Sequence, residues 1–377
     1  MAQIGVNFDR EIFISQRHGG ISHSFSKIIE QFLVDKELGI QPKFSFSKSD
    51  NEHLREVLKS ANLKLDPQRK FFAAKSGYST GLTLGPIRAI SSLWAGGNSI
   101  HPRTEIFHAT YYRPNPFERI PGQKLVCTVH DFIPEKLGWH GLRNPHIGKK
   151  RLVLKADLII CVSQTTADEL KDYFGISDER VEVVHHGVDA AESVLPKEAV
   201  SNPDRPSILY VGHRSGYKNF TTLLKSLNIL RPKMDFKLIV AGPILTTAEV
   251  ELLNSLAGEE NWIFVESPSD VELKRLYREA AVHCVTSKME GFGMTILESM
   301  AQGTPTIVSS IGVFKEICGE SGIYFNEAEP EDLAAKLLDV LGGLNYKELS
   351  SMSLSKAASF SWNKSASKLA SAYSKIV

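Results

Sequence analysis

The chain of 377 residues is poor in most features that announce a specialised function. It has only four cysteines, Cys127, Cys161, Cys284 and Cys318. They lie far apart, three of them inside apolar runs, which argues against a disulfide framework or a cysteine-rich zinc site; they are expected to be buried, reduced thiols. No run approaches the roughly 18 apolar residues that a membrane span needs. The start, MAQIGVNFDR, lacks the cationic-then-apolar order of a secretory leader, so a cytoplasmic location is expected. An excess of charge of one sign is also missing. Lys and Arg number 44 against 43 Asp and Glu, with a pI of 7.7, which excludes the basic footprint of a nucleic-acid binder and the composition of a disordered chain. Solenoid-length repeats and low-complexity tracts are absent.

What is present is alternation. Short β-branched runs are followed by longer amphipathic ones: QIGVNF by GISHSFSKIIEQFL, KLVCTVHD, ADLIICVS by TTADELKDYF, then VEVVHH. The pattern restarts with SILYVGH, KLIVAG, WIFVE, VHCVTS and PTIVSS, each leading into a helical segment. Such alternation predicts parallel sheets covered on both faces, and the length accommodates two of them in tandem. The proline-containing, mixed-charge stretch 188–206 is the expected boundary between two lobes that form a cleft. Residues 60–105, rich in Gly and Ser, carry little periodicity. The tail SFSWNKSASKLASAYSKIV reads as an amphipathic helix with Trp362, Leu369 and Tyr373 on one side.

Four segments can carry chemistry. EGFGMTILE follows the strand VHCVTS and holds Glu290 and Glu298 eight residues apart around Gly291, Phe292 and Gly293. A glycine turn there presents backbone N–H groups at the start of a helix over 294–301, with Met294 and Thr295 first, where anionic oxygens are favoured. YVGHRSGYKNF ends a strand at Gly212 and sets Arg214 and Lys218 before a helix; a bidentate guanidinium and an ammonium on such a turn suit a diphosphate. RHGGISHSF places Gly19 and Gly20 between the first strand and first helix, without the G-x-G-x-x-G of nicotinamide or flavin enzymes. LVCTVHDFIPE puts His130 and Asp131 at a strand's carboxyl end, and IFHATYY does the same for His108, a secondary candidate.

These motifs resemble the retaining nucleotide-sugar glycosyltransferases of family 4, nearly throughout the chain and most densely over residues 125–320. The family's two glutamates around Gly-Phe-Gly match Glu290 and Glu298. The resemblance implies an α/β GT-B fold: two Rossmann-like doubly wound parallel-sheet domains facing a cleft, with the C-terminal helix crossing back to the N-lobe. The expected domains are 1–187, taking up 360–377, and 188–359. By the same resemblance, Glu290 binds donor-sugar hydroxyls and Glu298 the ribose. Arg214 and Lys218 clamp the pyrophosphate, Gly19 and Gly20 face the phosphates, and His130 stands beside the sugar with Asp131 orienting its ring or contacting acceptor. No metal and no cofactor are expected beyond the donor, since the two cations take the place of a magnesium ion. Three positions depart from the family. Met294-Thr295 stands for Leu-Pro and His185-His186-Gly187-Val188 for Pro-Asn-Gly-Val, while Ser267-Pro268-Ser269, the expected edge of the base pocket, does not name the base.

Segments 128–135, 162–176 and 210–220 look most like the subset that builds bacterial surface polysaccharides, often mannosyltransferases, so GDP-mannose is the donor to test first. Residues 1–187 carry 25 basic against 20 acidic residues, with ten cations against four anions in 101–155, including Arg143, Lys149, Lys150 and Arg151. A basic N-lobe would suit a lipid-linked or otherwise anionic acceptor, with peripheral contact at the inner leaflet. The alternatives are a nucleotide-sugar epimerase of the same fold and a non-catalytic sugar-nucleotide-binding protein.

Overall fold

The strands of the first half pair in parallel, and their connections decide where the sheet opens. A computed structural model of the chain describes residues 3–46, 49–63, 103–114, 118–141, 144–189, 195–198, 200, 202, 204–214, 216–343 and 345–377. The first sheet contains β1 (Ile4–Phe8), β2 (Ile40–Phe44), β3 (Ile106–Ala109), β4 (Lys124–Val129), β5 (Leu158–Cys161) and β6 (Val181–Val183), in the order β2-β1-β3-β4-β5-β6. Register is set by buried pairs such as Val6 opposite Ile106, Phe107 opposite Leu125 and Cys127 opposite Ile159. β2 carries Pro42 and was not legible as a strand. As the sheet's edge strand it has one side without ladder bonds, which is where proline is tolerated. Phe107, Cys127, Val129, Phe132, Val153 and Leu170 fill one side of the sheet.

The second sheet holds β7 (Ser207–Val211), β8 (Lys237–Gly242), β9 (Trp262–Glu266), β10 (Val282–Val285), β11 (Thr306–Ser309) and β12 (Gly322–Phe325), in the order β12-β11-β10-β7-β8-β9, again all parallel. This is the doubly wound order in which the chain first builds outward on one side of β7 and then on the other. The sequence reading had missed β12: four residues beginning with glycine, paired along β11, give no period of their own. Leu223, Leu227, Leu238, Val240, Leu333 and Leu337 pack on one face of the sheet, and Leu209, Ala241, Leu276 and Tyr277 on the other. All four cysteines are buried and unpaired.

By contact, the chain divides into Met1–Gly187 with Trp362–Val377, and Val188–Ser361. The tail helix Trp362–Ser374 thus belongs to the first unit, where it packs on the helix Gly20–Val34 and buries Trp362, Leu369 and Tyr373. Tyr373 Oη lies 2.5 Å from Nδ1 of His108, whose Nε2 is 2.8 Å from Thr128 Oγ1. Stretch 188–206 is not a free linker throughout. Lys197 N–H donates to Ser350 Oγ at 2.8 Å, and its ammonium donates to the Ala280 carbonyl at 2.7 Å and Thr304 Oγ1 at 2.8 Å, anchoring residues 195–198 on the second unit. Most of the irregular region 60–105 lies outside the described residues. Among the described residues, no helix is long and apolar enough to cross a membrane.

Candidate functional site

Strand order reverses between β7 and β10, and the carboxyl ends of the strands at such a reversal are the place where open α/β sheets bind ligands. Both glycine-turn motifs of the second half land there. Gly212 ends β7 and Gly242 ends β8; at φ +154° a Cβ on Gly242 would stand 2.5 Å from the Gly212 carbonyl oxygen, so only glycine lets the two turns touch. Thr286 Oγ1 donates to the Lys218 carbonyl at 2.9 Å and Lys288 N–H to the Tyr217 carbonyl at 2.8 Å, stitching the β7 loop to the β10 loop.

Across this seam, Lys218 Nζ lies 2.5 Å from Glu290 Oε1, which also accepts the Ser287 hydroxyl at 2.8 Å. Gly293, at φ +109°, turns the chain into the helix Met294–Ala301. A Cβ on Gly293 would press Ile296 and the Phe314 ring at 3.1 and 3.2 Å, so this turn takes glycine for both backbone and space. Gly291 and Phe292 are buried, Phe292 edge-on against Phe360 at 6.3 Å between centroids, which fixes the turn from below. The helix therefore starts at this reversal, with the N–H groups of Met294 and Thr295 among the orphan donors of any helix start and the dipole's positive end beside them.

Glu298 sits in the second turn of this helix. Tyr277 Oη donates to Glu298 Oε2 at 3.0 Å. Burial pushes the Glu298 carboxyl up to about 7, against the lowering effect of the Tyr277 hydrogen bond, so near neutrality it exists in both forms. Tyr277 was not singled out from sequence, because as one aromatic on the amphipathic helix Asp270–Glu279 it has the signature of a core residue, and its ring does pack edge-on against His283 at 5.2 Å between centroids.

Arg214 departs from expectation. Its Nε–H donates to Glu249 Oε1 at 2.9 Å, its Nη2 to the carbonyls of Pro243 and Ile244 at 2.6 and 3.0 Å, and its Nη1 to the Gly212 carbonyl at 3.4 Å. A guanidinium has five N–H donors, so among the described residues one, on Nη1, is left over, and a bidentate grip on a diphosphate is not available in this arrangement. Glu249 was missed by the sequence reading, although Thr246-Thr247-Ala248-Glu249 is a legible capping box, and both of its reciprocal bonds form. Ser269, in the expected base-pocket edge, is spent as a helix cap, accepting the Glu272 N–H.

In the first unit, His130 follows β4 with its backbone N–H donating to Tyr112 Oη at 3.0 Å. Its ring is buried and, among the described residues, makes no well-formed hydrogen bond, although it faces the Thr110 backbone; burial holds it neutral by lowering its pKa well below the usual value. Asp131 does not orient that ring. Its Oδ1 accepts the Ile133 N–H at 2.8 Å, starting the helix Ile133–Lys136, and lies 3.8 Å from His146 Nε2. His108, with both nitrogens satisfied and burial pulling its pKa down to about 3, is a core histidine, which removes it as a site candidate. Gly20 opens the helix Gly20–Val34 after an extended Gly19. Gln16 Oε1 accepts the Ser22 N–H at 3.1 Å, so one of that helix's first donors is already used.

The basic stretch is partly neutralised. Lys124 pairs with Asp157, Lys136 with Glu169, and Lys149 is buried against Glu135, leaving Arg103, Arg113, Arg119, Lys150, Arg151 and Lys155 exposed among the described residues; Arg143 lies outside them.

Two doubly wound units of the same layered build, one with cations and a helix start at its strand-order reversal, define a two-domain α/β protein, and comparison makes the class specific. A family model described as "Glycosyltransferase Family 4" matches residues 47–192, and one described as "Glycosyl transferases group 1" matches residues 193–352. The chain belongs to the family 4 glycosyltransferases. It is 31% identical over 278 residues to a D-inositol 3-phosphate glycosyltransferase of Thermobispora bispora, covering 67% of this chain and 65% of that protein. It is 26% identical over 226 residues to the O-antigen chain mannosyltransferase RfbU of Salmonella typhimurium, covering 56% of this chain and 62% of the relative. The chain thus spans a little under two thirds of each of these relatives. The crystal structure of Anabaena Alr3699/HepE in complex with UDP-glucose superposes with a TM-score of 0.71 at 16% identity, covering 99% and 100% of the two chains. A Rickettsia africae glycosyltransferase gives 0.68 at 18% identity, covering 100% and 98%. The fold is therefore GT-B.

Proposed function

We propose that this chain transfers a hexose from a nucleoside-diphosphate sugar to a glycan or lipid-linked acceptor in surface polysaccharide synthesis, with retention of anomeric configuration. The observation that carries the reading is the Lys218–Glu290 pair at the β7/β10 reversal, beside the helix that starts at Gly293 and bears Glu298. A diphosphate arriving at that helix start brings negative charge to Lys218, and Glu290 is then released to accept hydrogen bonds from sugar hydroxyls. Glu298 accepts the ribose diol through Oε1, since Oε2 is engaged by Tyr277. As the bond from the anomeric carbon to the diphosphate oxygen breaks, Lys218, Arg214 Nη1 and the helix dipole meet the growing charge. The acceptor oxygen bonds to the same face, and its proton passes to the departing phosphate oxygen. His130 is the first unit's candidate for contact with the sugar.

Two mannosyltransferases among the relatives support mannose, so GDP-mannose leads the donors to test, while the UDP-glucose complex of the structural neighbour supports UDP sugars as the comparison. Exposed Lys150, Arg151 and Lys155 are what supports an anionic, lipid-linked acceptor and peripheral contact with an inner leaflet. Incubation with GDP-mannose, UDP-glucose and UDP-N-acetylglucosamine, reading nucleoside diphosphate release, tests the function. One donor is expected to be consumed, and release of an epimerised sugar in its place would identify an epimerase.

Two further outcomes are expected. Transfer persists in excess EDTA, because protein cations meet the diphosphate charge; complete loss, restored by magnesium or manganese, would overturn metal independence. The second concerns pH. Ribose hydroxyls donate, so they bind the ionised form of Glu298, whose carboxyl titrates at about 7. Affinity for the nucleoside diphosphate is expected to rise about tenfold between pH 6 and 8 through this group. Glu298→Gln should flatten that part of the calorimetric profile while keeping the contribution from the ligand's own phosphate ionisation. Coincident profiles would remove Glu298 from the ribose.

A further inference from the structure

We infer that Glu249 is a positioning residue for the transfer reaction: it holds the Arg214 guanidinium in the one orientation that leaves an N–H for the diphosphate. The inference rests on the proposed role of Arg214 and deepens it, because the hydrogen-bond geometry says how that side chain is aimed.

Arg214 stands on the turn after β7, and Glu249 in the first turn of the helix Thr247–Leu256 that follows β8. Glu249 Oε1 takes the Nε–H at 2.9 Å, and Oε2 lies 3.5 Å from Nη2, so the carboxylate lies along the Nε–Nη2 edge. The carbonyls of Pro243 and Ile244 then take up Nη2. Carbonyls alone would leave the long side chain free to rotate about its last bonds; a charged partner on the Nε edge fixes the plane of the group. The guanidinium is almost entirely buried, at 4% side-chain exposure, where an unpaired cation would be costly. What remains is the opposite corner, Nη1, whose one recorded bond, to the Gly212 carbonyl at 3.4 Å, is long.

Glu249 is itself fixed. Burial pushes its carboxyl up, but the Thr246 backbone N–H and the Arg214 guanidinium outweigh this and keep it ionised, lowered from the usual value. Its Oε2 accepts Thr246 N–H at 2.8 Å and Thr246 Oγ1 at 3.0 Å. One carboxylate therefore does two jobs, capping a helix and aiming an arginine, and the second is unnecessary for the first, since a glutamine serves at this capping position equally well.

That division supplies the test. Wild type, Glu249→Gln, Glu249→Ala, Thr246→Ala, Arg214→Ala and the double variant Glu249→Ala/Arg214→Ala are compared for kcat and KM with the donor found above. Calorimetry uses whichever of UDP and GDP binds the wild type, against the corresponding monophosphate. Removing Glu249 is expected to lower kcat/KM about tenfold and to weaken diphosphate binding more than monophosphate binding, with no further loss in the Arg214→Ala background. Glu249→Gln, which keeps a cap but loses the charge, should show most of that loss, and Thr246→Ala, which breaks the cap and leaves the ion pair, should lower the melting temperature with little change in kcat/KM. If Arg214→Ala is crippled while both Glu249 variants retain wild-type kinetics, or if the two losses simply multiply in the double variant, the positioning role is wrong. If Arg214→Ala itself is unimpaired, the failure lies in the diphosphate reading instead.

Discussion

Arg214→Ala and Lys218→Ala are each expected to lower kcat by roughly 100-fold or more at saturating donor, the scale on which loss of one preorganised charge at a developing oxyanion is felt. The two losses have different origins. In the proposed reaction Lys218 exchanges Glu290 for the diphosphate, so its removal, which leaves Glu290 Oε1 with the Ser287 hydroxyl, should disturb sugar placement as well as leaving-group charge. Arg214 keeps its protein partners throughout and offers only Nη1, so its removal should act on kcat with a smaller effect on donor KM. It also takes away the bridge between the β7 and β8 turns. Arg214→Lys is therefore the sharper variant, because an ammonium cannot reproduce the fork that joins Glu249 to the carbonyls. Steady-state kinetics with excess donor decide the matter, and an unchanged kcat in both alanine variants would take the pair out of the mechanism.

Deleting residues 360–377 should be as damaging, and for a reason unconnected with chemistry. The helix Trp362–Ser374 buries Trp362, Leu369 and Tyr373 in the first unit, to 4%, 2% and 0% exposure, together with Ala366 and Ala370. At roughly 2 kcal/mol for each large side chain, this approaches the whole stability of an ordinary domain. The deletion also strips His108 of its Tyr373 partner, leaving a buried nitrogen unsatisfied, and removes the Ser365 hydroxyl from the His185 carbonyl, 2.7 Å away. The expected result is loss of soluble protein, or a melting temperature lower by about 10 °C or more. Tyr373→Phe, which keeps the ring and loses one hydrogen bond, should cost about 1 kcal/mol and remain folded. A truncated chain that melts and works like the full one would show that the helix contributes nothing to the first unit.

Much of this protein is legible in its residues because the deciding patterns are local. The alternation of β-branched runs with amphipathic segments is a statement about which faces can be buried, and it is enough for two parallel layered sheets. The helix Met294–Ala301 is also local: Gly293 is the residue that can take its backbone angles, and the apolar period begins at once afterwards. Where an element draws its stability from a neighbour, the pattern fails. β2, with a proline, and β12, with four residues and a leading glycine, are strands because β1 and β11 lie beside them.

The site divides in the same way. Residue types and spacing determined that Glu290, Lys218 and Arg214 leave the carboxyl ends of strands, since each follows a strand within one loop, and that Glu298 lies one turn into the helix that follows. Spacing along the chain cannot say which side chain meets which across it. Only the reversal of strand order between β7 and β10 brings Lys218, 72 residues away, onto Glu290, and only the touching turns at Gly212 and Gly242 bring Arg214 to Glu249. The two histidines and the aspartate are told apart by the same kind of fact. His108, Asp131 and His130 all follow or end strands and look equivalent in sequence. Tertiary packing gives the first two side chains partners, whereas the ring of the third makes no well-formed hydrogen bond among the described residues, because hydrogen-bond satisfaction in a buried site depends on what the rest of the fold delivers to it.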